Sequence, residues 1–178
     1  KGPKHGGANI KVCEMFDCIK ENVPDFDRGK LKDFVAKILN KEAYDHTGLV
    51  YGMGHAVYSL SDPRADILKT FAEKLAAEKL KEEEYEMRKY VAQAAAELIA
   101  EKRRIYKGVS PNVDFYSGFV YDMLNLPREL YTPFFAVSRI VGWSAHRMEE
   151  ITNGGKIIRP GYQAVAKHQP YVPIEQRT

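Results

Sequence analysis

Cysteine is scarce: 178 residues contain only Cys13 and Cys18. That spacing makes neither a disulfide scaffold, nor a Cys-x-x-Cys redox pair, nor half of a zinc site. The expectation is two reduced thiols, one buried and one not, in a cytoplasmic protein. Long apolar runs are also missing. The longest, at 133–137 and 140–143, are separated by Arg139 and fall far short of the ~20 residues that span a bilayer. No membrane association is expected, and no secretory leader is visible. Charge of one sign is not in excess either, with 27 basic against 24 acidic residues and a net of +3. Nucleic-acid binders need a denser basic face. The usual nucleotide and hydrolase signatures are absent as well. There is no Gly-x-x-x-x-Gly-Lys loop, no His-Glu-x-x-His and no Gly-x-Ser-x-Gly, and the Gly-x-Gly at 52–54 lacks a third glycine. A methionine start is lacking too, so the opening Lys-Gly-Pro-Lys reads as a cut end and the chain as part of something larger.

What remains has the composition of a globular domain, 44% hydrophobic and 29% charged. Apolar residues recur at helical spacing along most of it. Helices are predicted over 9–21, 29–41, 64–80, 83–107, 115–125 and 132–151, with no strand, repeat or low-complexity tract. The expected fold class is all-α. Ile67, Leu68, Phe71 and Leu75 are the predicted core face of the third helix, and Met87, Val91, Ala94, Ala95, Leu98 and Ile105 that of the fourth. Ser61-Asp62-Pro63 has the form of a helix start, a capping residue followed by proline. The last helix is apolar on most sides and is therefore predicted to be buried.

Candidate chemistry lies in the irregular segments. His5, in Gly2-Pro-Lys-His5-Gly-Gly7, and His55, in Tyr51-Gly-Met-Gly-His55, are flanked by glycines that let a ligand approach the imidazole. His46, His146 and His168 lack that setting and are read as structural or exposed. Asp114 precedes an apolar helix and is either its N-cap or a general base aimed into an apolar pocket; the sequence leaves both open. Arg139 sits in an otherwise apolar run, and Arg64 and Arg159 lie beside turn or apolar residues. Each needs an anionic partner, either an internal carboxylate or a polyanionic ligand. Arg103 and Arg104 close a charged helix end. Two histidines, one aspartate and three arginines suit proton abstraction beside a carbonyl, with a carboxylate-bearing partner clamped nearby.

Taken together, these segments resemble the citrate synthase family. Gly2-Pro-Lys-His5-Gly-Gly-Ala-Asn9 resembles its first histidine motif, and Gly52-Met-Gly-His55-Ala-Val-Tyr58 with Asp62-Pro-Arg64 its second. Pro111-Asn-Val-Asp114-Phe-Tyr-Ser-Gly118 resembles its aspartate motif; Val137-Ser-Arg139 and Ile158-Arg159-Pro160 resemble its late arginine motifs. The resemblance implies that Asp114, His5 and His55 are catalytic and that Arg64, Arg139 and Arg159 bind oxaloacetate, the last across a homodimer interface. It implies acetyl-CoA as a substrate, with no metal and no cofactor. Ala56 and Ser59 stand where many members carry a basic residue, so CoA contacts are expected from Lys107, Asn112, Arg103 or Arg104.

By the same resemblance, residues 1–7 form a hinge and active-site segment, 8–125 a small helical domain, and 126–178 the C-terminal part of a large helical domain. A further oxaloacetate-binding histidine would belong to the part of the family's enzymes that this chain does not resemble. Rival readings are a 2-methylcitrate synthase using propionyl-CoA and a non-catalytic helical interaction module. The 178 residues assayed by themselves are expected to give negligible turnover, so robust citrate formation from this chain alone would contradict the expectation.

Overall fold

A computed structural model describes residues 6–58, 60–103, 108–155, 161 and 173–176, the side chain of Arg103 excepted. Six α-helices are found among them: α1 Ala8–Asn22, α2 Arg28–Leu39, α3 Pro63–Glu78, α4 Glu82–Arg103, α5 Val113–Met123 and α6 Tyr131–Thr152. Short 3-10 turns occupy Arg128–Leu130 and Ile174–Gln176. No strand occurs among the described residues, only an isolated antiparallel bridge between Met53 and Pro111. The all-α expectation holds, with helix ends within a few residues of those predicted; residues 104–107, including Ile105, lie outside the described ones.

The helices start where the sequence offers a cap. Asp27 accepts from Lys30 N ahead of α2, Asp62 from Arg64 N ahead of α3, and Asn112 from Asp114 N ahead of α5. Each satisfies a backbone donor that the first turn would otherwise leave unpaired. Pro63 at the first position of α3 has no N–H to satisfy.

The chain divides into two compact units, Lys1–Ser138 and Arg139–Thr178. The hydrophobic core belongs to the first. Helix α1 contributes Val12, Met15, Phe16 and Ile19, and α2 contributes Leu31, Val35 and Ile38, all at helical spacing and all buried. Helix α4 lies against α2 and α3, while α5 lies against α3 and α1. Phe115, Tyr116, Phe119, Val120 and Met123 make α5 the central helix. The predicted stripe of α4 is borne out at Met87, Val91, Ala94 and Ala95. Cys13 is buried and Cys18 partly so.

Two predicted cores are corrected. Helix α3 buries Ala65, Ala72 and Ala76, whereas Ile67 and Phe71 are exposed and Leu68 and Leu75 only partly covered. Small side chains let α3 approach its neighbours closely, and that proximity, rather than side-chain size, chose the face. Helix α6 is buried only at Tyr131: Val137, Ile140, Val141, Trp143 and Met148 are all more than half exposed. Arg139 is likewise exposed rather than enclosed. An apolar helix demands cover, but its composition does not say which surface supplies it.

One buried cation escaped the sequence reading. Arg88, 5% exposed, pairs with Glu84 at 3.0 Å and lies 3.9 Å from the ring centre of Phe16 and 4.4 Å from that of Phe119. Sandwiched between aromatic faces and held by a carboxylate, the guanidinium is tolerated inside the core. At the α1–α5 contact, Gly118 permits close approach, because a Cβ there would overlap Cys13 Sγ. Gly118→Ala is expected to destabilise the fold by about 1–3 kcal/mol through overpacking, read as a lower urea midpoint.

Candidate active site

The loop carrying His55 is stitched to the start of α5. Gly52 adopts φ +81°, and a Cβ there would press on Phe115, so glycine lets the loop backbone pass against the helix. Gly54 N donates to Ser110 O, and Asn112 N donates to Gly52 O, both at 2.8 Å. The Asn112 side chain completes the seam: Nδ2 donates to Gly54 O at 2.8 Å while Oδ1 accepts from Asp114 N at 3.0 Å. One carboxamide therefore holds the residue before His55 and the backbone of Asp114.

Asp62 does the same from the other side. Its carboxylate, 1% exposed, accepts from Arg64 N and Arg64 Nε at 3.0 Å, from Arg64 Nη2 at 2.8 Å and from Val113 N at 3.2 Å. A single buried anion thus ties the start of α3, the Arg64 guanidinium and the start of α5. Arg64's hydrogen bonds hold the Asp62 carboxyl below the usual aspartate range against the opposing effect of burial. The Arg64 guanidinium is pushed up in turn, chiefly by hydrogen bonding to Asp62, with smaller contributions from Tyr58 and Asp114.

His55 is exposed but oriented. Its Nδ1 accepts from Val57 N at 3.0 Å and Tyr58 N at 3.3 Å. A ring nitrogen that accepts from backbone N–H carries no proton, so neutral His55 places its hydrogen on Nε2. Nε2 lies 3.3 Å from Arg64 Nη2. Arg64 donates only, so with the hydrogen on Nε2 the two groups stand side by side as donors. The Tyr58 ring packs 4.9 Å from the imidazole and 5.5 Å from the guanidinium, bracing both.

Asp114 is half-buried in the first turn of α5, where the helix N-terminus favours negative charge. The N-cap of α5 is Asn112, which accepts from Asp114 N, so the cap reading of Asp114 is corrected. His55, Arg64, Asn112 and Asp114 are therefore brought into one neighbourhood by the two seams. Arg139 belongs to the second unit. His5, Arg104, Lys107, Arg159 and His168 lie outside the described residues, as does the side chain of Arg103. His46 and His146 are exposed, His46 Nδ1 bonding Lys41 O at 2.9 Å. Among the described residues no group of three or more His, Cys, Asp or Glu is placed to hold a metal ion, and no helix is long and apolar enough to cross a membrane. Asp62 and Asn112 were read from sequence as a helix start and a CoA contact. Their bridging roles had no local signal, because each partner lies about fifty residues or more away.

The family model described as citrate synthase, C-terminal domain, matches residues 1–161. A citrate synthase from Synechocystis is 39% identical over 99% of this chain and 40% of its own length. A 2-methylcitrate synthase from Shewanella oneidensis is 34% identical over 99% of this chain and 42% of its own. Among solved structures, the ternary complex of Thermoplasma acidophilum citrate synthase with carboxymethyl coenzyme A and oxaloacetate superposes with TM-score 0.68 at 34% identity, covering 99% of this chain and 44% of that one. The chain thus spans about two fifths of the length of the curated relatives it matches.

The Asp62 clamp makes a pH prediction. Because the folded carboxyl is the stronger acid, the unfolded chain binds the proton more readily; the clamp's stabilisation is complete above about pH 4 and drains away as pH falls below it. Asp62→Asn is expected to lower the urea midpoint at pH 7, with the gap to the parent closing below about pH 4.

Proposed function

The chain belongs to the citrate synthase family, and on that premise we propose that it carries the catalytic carboxylate and two catalytic imidazoles of an enzyme condensing acetyl-CoA with oxaloacetate to citrate and CoA. The 3.3 Å approach of Arg64 Nη2 to His55 Nε2, on a loop that Asn112 bonds to the helix start bearing Asp114, supports this reading more than any other observation. Asp114 removes a methyl proton from the thioester. His5 hydrogen-bonds the thioester oxygen as the enol or enolate forms. His55 Nε2–H donates to the keto oxygen of oxaloacetate while the carbon–carbon bond is made. Water then cleaves the citryl thioester.

A thioester α-proton is very weakly acidic, so the base works only with electrostatic help aimed at the oxygen. Arg64 holds an oxaloacetate carboxylate through the guanidinium that Asp62 orients, and Arg139 and Arg159 hold the remainder, Arg159 from the second subunit of a homodimer. CoA contacts come from Lys107, Arg103 and Arg104. The Asn112 amide has half of its hydrogen-bonding capacity committed to Gly54 and Asp114, which makes it the weakest of those contacts. The chemistry needs no resident metal or cofactor. Residues 8–125 serve as the mobile small domain, 1–7 as its hinge and 126–178 as part of the large domain, in a cytoplasmic enzyme.

In the full-length protein, Asp114→Asn is expected to lower kcat by about 100- to 10,000-fold, the worth of a general base, with little change in the urea midpoint. Unchanged condensation would point to another base. Rates with acetyl-CoA and propionyl-CoA, side by side, separate citrate from 2-methylcitrate synthesis, and turnover with neither leaves a non-catalytic module.

A further inference from the structure

Asn9 on α1 and Ser117 on α5 are 3% and 0% exposed. Asn9 Nδ2 donates to Ser117 Oγ at 2.6 Å, across 108 residues of chain. The surrounding contact is apolar, with Phe16 and Phe115 meeting edge to face at 5.2 Å. Asn9 Oδ1 is buried with no hydrogen-bond partner among the described residues. Leaving such an acceptor unsatisfied costs about 1–3 kcal/mol, and an apolar pair of similar shape is about as stable. Stability therefore does not explain the pair.

Register does. Apolar helix surfaces resist separation but slide and rotate against one another at little cost, whereas a buried hydrogen bond is satisfied in one geometry. Gly118 brings the two helices close enough for that bond, since a Cβ there would stand 3.5 Å from Asn9 Nδ2. Asn9 lies four residues after His5, and Ser117 lies three after Asp114. On a helix that offset places Asp114 and Ser117 on neighbouring parts of one face, so fixing Ser117 fixes the rotation of Asp114 about the helix axis. A second tie holds the leader of α1, where Thr132 Oγ1 donates to Gly6 O at 2.7 Å.

We propose that the Asn9–Ser117 hydrogen bond is a positioning pair for enolisation. It sets the rotation of α1 against α5, and with it the direction in which the helix turn bearing Asp114 faces. This rests on the function proposed above and deepens it.

The test is a double-mutant cycle in the full-length protein: Asn9→Ala, Ser117→Ala and both together. For each variant, kcat, KM, the deuterium isotope effect on kcat with methyl-deuterated acetyl-CoA, and the urea midpoint are measured. Ser117→Ala removes a single oxygen and keeps the fold within reach. Each single change is expected to lower kcat about 10- to 100-fold with KM nearly constant and a larger isotope effect, because misplaced groups slow proton transfer. The double variant is expected to be no worse than the poorer single one. Unchanged kcat, additive losses, or losses that follow the urea midpoint without a change in isotope effect would overturn the pair. An unaltered protein that fails to condense would overturn the functional reading and this role with it. Normal condensation by the parent, abolished by Asp114→Asn but untouched by the cycle, would overturn the pair alone.

Discussion

The candidate site depends on one constraint: a loop with little structure of its own must present His55 at a fixed place beside the first turn of α5. Two buried polar side chains supply it. Asn112 bonds Gly54 O and Asp114 N, and Asp62 bonds the Arg64 guanidinium and Val113 N. Both are helix caps whose spare hydrogen-bonding capacity is used to reach another element. Capping thus serves two ends, terminating a helix and locating a functional side chain.

The same economy governs the charges. Arg64 is held in the fork of Asp62, leaving its outer edge beside His55 Nε2. A guanidinium already oriented by a carboxylate loses little further freedom on meeting an anion. The imidazole is likewise oriented in advance, with Nδ1 occupied by two backbone donors and the proton placed on Nε2. Preorganised donors of this kind stabilise charge that develops during reaction without reorganising when it appears.

Helix α5 carries these demands into the core. It is buried along most of its length, packs on α1 and α3, and bears Asp114 at its half-buried start. Gly118 and the alanines of α3 keep the neighbouring helices close. Rigid packing below the site is what allows hydrogen bonds above it to specify positions rather than average over them.

Much was legible in the residues alone. Helical spacing located six helices, Asp62-Pro63 marked the start of α3, and glycine-flanked His55 with Asp114 marked the candidate site, because these signals are local and act within a turn or two of chain. Which face of α3 is buried, whether α6 is covered and how Arg88 is accommodated were not decided locally. Ile67 and Phe71 looked like core and are exposed, while Ala72 and Ala76 are buried. Hydrophobic periodicity measures how apolar a face is, but burial depends on how closely another element approaches it. Asp62, Asn112 and Asn9 acquire their meaning from partners about fifty to more than a hundred residues away, a proximity that exists only once the helices have packed.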